Sequence, residues 1–204
     1  MPAASKQALS PTDRKQRIEI ITTHIAGILE TLDESLREGL GGTPDRVARM
    51  MVDEIYCPGN PLEDVLNTVF IEETIAREMI VLDHLPFCSW CEHHMVPYFG
   101  HAHVGYIPHS GLIGLSKIAR LVTAAGRGLT IQERVTENIA NALDKKLQPS
   151  GIIVVIKAVH TCMVARGAKA VGSSTTTSAL RGVFRDSEAA RAEFFSVIYG
   201  NGRS

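Results

Sequence analysis

Two clusters of cysteine and histidine carry the chemistry this chain could do: Cys91-Glu92-His93-His94 and His160-Thr161-Cys162. Cys91 and His94 stand three apart, a spacing at which a turn brings thiolate and imidazole onto one zinc ion. His160 and Cys162 stand two apart at the end of the β-branched run Gly151–His160, so on a strand both side chains share one face. Cys162 then completes a Cys-His-Cys set with Cys91 and His94. Three protein ligands leave the fourth tetrahedral position to water, the layout of a catalytic zinc. His93 and His160 flank the set and are candidates for moving protons, since an unperturbed histidine titrates near pH ~6.5.

The same residues fit other readings. Cys88-Ser89-Trp90-Cys91 is a C-x-x-C, which serves equally as a redox pair or as half of a closed structural zinc site with Cys88 as fourth ligand. Oxidation of Cys88 to a disulfide with Cys91 would eject the metal. The signature of zinc nucleobase deaminases, His-x-Glu followed by Pro-Cys-x-x-Cys, is absent. His24, His84, His101, His103 and His109 have no comparable partners in sequence and read as surface or hairpin residues.

The elements that must position these groups come from a chain of 204 residues, long enough for one well-filled core. It is 45% hydrophobic and 21% charged, as in ordinary soluble domains. A formal net charge of -1 gives no global field toward nucleic acid or an anionic membrane, so an anionic ligand needs a local cluster of cations. No apolar run approaches the ~20 residues that span a bilayer, and the N-terminal residues lack the apolar middle of a signal peptide. The expectation is a cytoplasmic protein with a flexible leader over 1–12, a helical region over 13–67 and a catalytic domain over 68–204.

Ile18, Ile21, Ile25, Ile28, Leu29 and Leu32 recur at helical spacing, predicting a helix over 13–32. Thr43-Pro44 opens a second helix running to Tyr56, before a loop at Pro58-Gly59-Asn60-Pro61 and a short helix near 62–67. Strands are predicted at Met79–Leu82 and His101–Ile107, and helices at Ser116–Ala125 and from Thr130 through Leu147. Strands at Gly151–His160 and Ser173–Ser178 precede a closing helix from Ser187. This order describes an α+β fold of antiparallel hairpins, because parallel strands would need a helix between every pair.

Several spaced segments together resemble the GTP cyclohydrolase I family: Thr43–Arg49, Cys91–His94, Ile113–Arg120, Gln132-Glu133-Arg134, His160–Cys162 with Ala165-Arg166-Gly167, and Ser173–Ser178. They follow the family's order from about Arg17 to the C-terminal helix. The resemblance implies the tunnelling fold, an antiparallel sheet with helices on one face and an N-terminal helical hairpin. It also implies a toroidal homodecamer with active sites between subunits. The implied reaction is hydrolytic opening of the imidazole ring of GTP, release of formate and rebuilding to 7,8-dihydroneopterin triphosphate, the first step of tetrahydrofolate and pterin synthesis.

Carried over residue by residue, the resemblance makes Cys91, His94 and Cys162 the Zn2+ ligands, His160 the acid at the purine's five-membered ring and His93 the group assisting ribose opening. Gln132 and Glu133 match the positions that read the guanine edge, and Ser116 the hydroxyl for the sugar rearrangement. Lys117, Arg120 and Arg166 match cations that hold the triphosphate, joined by Arg46 and Arg49 of a neighbouring subunit. Taken alone, Glu133 also fits a capping box begun by Thr130, Ser116 an N-cap, and Lys117 with Arg120 a solvated face. The sequence departs from the family at Cys88, more often tyrosine, and at Gly128 and Thr130, usually basic and glutamine. Two rivals remain at this point: another tunnelling-fold enzyme acting on a purine or pterin, and a scaffold whose zinc is closed by Cys88.

Overall fold

A computed structural model of the protein describes residues 9–32, 38–56, 62–67, 69–70, 78–109 and 111–200. The loop expected at 58–61 and residues 1–8 of the expected leader lie outside the described residues. The chain divides into two units, one ending at Asn60 and the other beginning at Pro61.

In the first unit, helix α1 (Pro11–Thr31) starts where the Ser10 hydroxyl accepts the Asp13 backbone N–H at 3.1 Å and Pro11 fills the first turn. Helix α2 (Thr43–Arg49) opens with Pro44 and continues as a π-helical turn, Met50–Ile55. The two helices form a hairpin. Ile18 packs on Ala48 and Val52, and Arg14 Nε donates to Asp53 Oδ1 at 2.6 Å.

The second unit carries α3 (Leu62–Val65), then β1 (Val69–Phe70), which pairs antiparallel with β4 (Leu112–Ile113). Its main sheet has the order β5 (Leu129–Thr130), β2 (Ile80–Cys91), β3 (Pro97–Ile107), β6 (Gly151–His160), β7 (Thr175–Gly182). All neighbours run antiparallel except β5, which pairs parallel with the last two residues of β2. Helix α4 (Leu115–Ala125) lies within that crossover, which is what a parallel connection needs.

Strand β2 is far longer than the four residues expected. A bulge between Leu82 and Leu85, with His84 at φ 50°, breaks the alternation that would have marked its second half. Helix α4 and helix α5 (Gln132–Leu147) cover one face of the sheet, packing Ile118, Leu121, Ile139 and Leu143 against Ala102, Val104, Ile152 and Val154. On the other face Ile153 and Val155 meet Phe184 of α7 (Val183–Asp186) and Phe194 and Ile198 of α8 (Glu188–Tyr199). Strand β6 is therefore buried on both faces, which explains a continuous apolar run in place of alternation.

Two glycines permit close approach. A Cβ on Gly126, where α4 ends, would run into the Cys88 carbonyl oxygen and come within 3.3 Å of the Phe87 ring, so glycine lets the helix end lie on β2. A Cβ on Gly100 would collide with the Lys157 carbonyl oxygen and stand 2.8 Å from the Ala158 Cα, so glycine sets the spacing of β3 and β6. Among the described residues β7 and the first part of β2 each have a neighbour on one side only, leaving two open sheet edges. Among the described residues no helix is long and apolar enough to cross a membrane.

Candidate metal centre

Strand β2 ends at Cys91, and a tight turn returns the chain into β3. The Met95 N–H donates to the Cys91 carbonyl and the Cys91 N–H to the Val96 carbonyl, both at 2.9 Å, with Met95 at φ 55°. This turn folds His94 back until its Nδ1 is 3.7 Å from Cys91 Sγ. The third residue arrives across the sheet. Tyr98 pairs with His160 in the β3–β6 register, and the Thr161 hydroxyl donates to the Pro97 carbonyl at 2.5 Å. Strand β6 stops at His160, so Cys162 sits on a short helical turn, α6 (Thr161–Val164), and not on the strand expected. The turn still delivers its thiol, and the ligand atoms of Cys91, His94 and Cys162 all lie within 4.8 Å of one another.

Two thiols and an imidazole gathered this closely fit a zinc ion. Burial pushes the Cys162 thiol up, and the adjacent Cys91 thiol adds to that, while the Arg166 charge pulls it down. A dication would hold both sulfurs as thiolates and relieve the crowding. Cys88 is not part of the set. Along β2, Phe87, Ser89 and Cys91 are buried while Cys88 is exposed, since alternate residues face opposite ways. The closed site with Cys88 as fourth ligand is thereby corrected to three protein donors. The Cys88–Cys91 disulfide fails on the same ground: three residues of extended strand separate the Cα atoms by ~10 Å, against a reach of ~7 Å.

His93 is exposed, with Nδ1 3.8 Å from Cys91 Sγ. His160 is half-buried and stacks on Tyr98, ring centroids 4.5 Å apart and planes inclined by 6°. Burial holds its imidazole below the ordinary value, and the Glu133 charge pulls it back upward. Its Nε2 lies 2.8 Å from Gln132 Oε1. Gln132 is only 1% exposed, and its amide N–H groups face the Ile156 carbonyl at 2.9 Å and the Thr175 carbonyl and Thr177 hydroxyl, each at 3.1 Å. Glu133 is exposed and makes no side-chain hydrogen bond among the described residues. Its expected capping role does not occur, because Thr130 belongs to β5 and Ile131 is the residue that precedes α5.

Ser116, Lys117 and Arg120 stand on α4, and Arg166 follows α6. Ser116 is not the N-cap, a position held by Gly114. Lys117, Arg120 and Arg166 form no ion pair among the described residues, leaving their charges available to an anion. Arg46 and Arg49 belong to α2 in the first unit, where Arg46 donates to the Thr43 hydroxyl and Arg49 pairs with Asp45 at 2.7 Å. Sequence reasoning overlooked Tyr98 and the Glu92–Arg134 ion pair. The latter, at 2.7 Å, ties the Cys91–His94 turn to α5, with the Arg134 guanidinium holding the Glu92 carboxyl below its usual range.

Comparison with known proteins adds an independent line. The family described as GTP cyclohydrolase I matches residues 21–199. GTP cyclohydrolase 1 of Halalkalibacterium halodurans is 46% identical over 184 residues, covering 89% of this chain and 97% of that one. The enzyme of that name from Pelotomaculum thermopropionicum is 47% identical over 175 residues, covering 85% and 92%. The one from Deinococcus radiodurans is 41% identical over 202 residues, covering 98% and 91%.

Proposed function

The chain belongs to the GTP cyclohydrolase I family, and we propose that its Cys91-His94-Cys162 centre is where the family's reaction takes place. The protein is a hydrolase that opens the imidazole ring of GTP, releases formate and rebuilds the ring system as 7,8-dihydroneopterin triphosphate. The carrying observation is the convergence of three soft and borderline donors within 4.8 Å beside two further histidines. A zinc ion held there supplies Lewis-acid activation of water at neutral pH.

The chain's own residues supply the rest. His160, braced between Tyr98 and Gln132, exchanges a proton with the five-membered ring of the purine. His93, exposed on the turn, is placed to move a proton during opening of the ribose, and Ser116 serves the later sugar rearrangement. The free Glu133 carboxylate accepts hydrogen bonds from the guanine ring N–H and amino group. Lys117, Arg120 and Arg166 hold the triphosphate, a local answer to a net charge of -1. Holding the triphosphate fixes the reacting carbon over the metal centre.

The two open edges of the sheet support assembly into a homo-oligomer, in which β7 of one subunit adds to β2 of the next. A decamer built in this way would bring Arg46 and Arg49 of a neighbour toward the triphosphate. The catalytic domain over 68–204 lies within the second unit, which begins at Pro61, and the enzyme works in the cytoplasm. The test is incubation of the zinc-loaded protein with GTP, following formate and product mass together. Formate with dihydroneopterin triphosphate supports the whole reading. Absence of both with zinc bound would refute it.

A further inference from the structure

Gln132 lies one turn ahead of Val135 and Thr136, on the stripe of α5 that faces the sheet. Its carboxamide is oriented by its surroundings. The two amide N–H groups face two backbone carbonyls, those of Ile156 and Thr175, and the Thr177 hydroxyl. Turning the amide over would set its oxygen against both carbonyls, acceptor against acceptor. The neighbouring hydroxyls fix the same direction. Thr136 donates to the Gln132 carbonyl at 2.8 Å, so in its 2.6 Å contact with Thr177 the Thr177 hydroxyl is the donor. The Thr177 oxygen is thereby free to accept from the Gln132 amide. All three groups that face the amide nitrogen thus call for a donor.

Gln132 Oε1 must therefore point at His160, and an amide oxygen can only accept. From this we infer that Gln132 is a positioning residue: it keeps a proton on His160 Nε2 and so makes Nδ1 the nitrogen that serves the substrate. The inference rests on the cyclohydrolase reading for the identity of that substrate. With Nε2 occupied and the ring stacked on Tyr98, the imidazole can neither flip nor exchange tautomers without breaking a buried contact. Proton exchange with the purine ring nitrogen is thereby confined to Nδ1: the imidazolium gives its Nδ1 proton and returns to the neutral Nε2–H form, with that hydrogen directed at Gln132 Oε1 before and after the transfer. Gln132 has both N–H groups in use and its oxygen on His160, so guanine recognition at this pair of positions falls to Glu133 alone.

Neutron diffraction from deuterated crystals of the zinc-loaded wild-type enzyme reads the geometry directly. A deuteron on His160 Nε2 directed at Gln132 Oε1 is expected. A deuteron on Nδ1 alone, or an amide turned the other way, would overturn the inference. Kinetics of Gln132→Met supply the second reading, since methionine keeps the volume but cannot hydrogen-bond the ring. Here kcat should fall about 10–100-fold, the scale of losing a hydrogen-bond partner that orients a functional imidazole, with KM for GTP within about twofold and zinc content unchanged. A raised KM with kcat preserved would mark Gln132 as a guanine contact and sink the proposal, as would unchanged kinetics. If Gln132→Met fails to fold, the neutron result decides. If the wild type releases no formate from GTP, the cyclohydrolase reading fails while the deuteron position still judges Gln132.

Discussion

Acid should destabilise this fold through one histidine remote from the metal centre. His103 is 3% exposed, on the face of β3 away from α4 and α5, with His84, His101, Asp83, Lys157 and Tyr199 around it. Burial, followed by the neighbouring His84, lowers its pKa from 6.5 to about 4. Its Nδ1 also lies 3.3 Å from the His84 backbone N–H and accepts from it, so protonation there would cost a hydrogen bond as well. The folded pKa is depressed relative to the unfolded one. The stabilising contribution is therefore fully present above pH 6.5 and is lost as pH falls toward 4. The linkage relation gives a loss of about 2 kcal/mol at pH 5 and about 3 kcal/mol at pH 4, relative to neutral pH. The control is His103→Gln, which can still accept from the His84 N–H but does not titrate. Urea unfolding can be followed through Trp90, the single tryptophan, which lies on β2. Between pH 7.5 and 5 the wild type should lose about 2 kcal/mol more than the variant, moving the urea midpoint by about 1 M for an m-value of ~2 kcal/mol/M. Equal losses in the two proteins would refute a buried, neutral His103.

Other consequences are as direct. Cys162→Ala should lose zinc and activity together, measured by metal analysis and formate release, whereas His160→Ala should keep its zinc and lose turnover. Cys88→Ser should retain zinc as well as the wild type does, both before and after peroxide, because Cys88 faces away from Cys91; protection by the serine would contradict that placement. Gly100→Ala drives a methyl into the β6 backbone and should cost about 1–3 kcal/mol in urea unfolding, on the scale of overpacking a core. An alanine variant as stable as the wild type would mean that β3 and β6 can separate locally.

The elements with one clear period were legible from the residues alone. Helices α1, α4, α5 and α8 and strand β6 stand close to where spacing put them, and Cys91 and His94 meet across the turn that their spacing suggested. Strand β2 was not legible beyond Leu82, because a bulge carrying Asp83 and His84 reverses which residues face the core. Cys162 reached the site by a route that alternation could not foresee, since a helical turn replaces the strand after His160. Gln132 is the instructive case. Its place one turn before Val135 and Thr136 and two turns before Ile139 marks it for burial, a signal outweighed by the polarity of the side chain. Thr130 and Glu133 have the spacing of a capping box, but two backbone pairings with the end of β2 claim Leu129 and Thr130 for the sheet. Tyr98 carries no sequence signal for its contact with His160, which depends on long-range register.

That register, Tyr98 opposite His160, makes the centre a test of correct assembly. Sliding β6 by one residue against β3 would turn His160 to the opposite face and carry Cys162, on the helical turn that follows, away from Cys91. A mispaired sheet would thus lack the donor set altogether. Bound metal per chain would then count the molecules whose strands have found their proper partners.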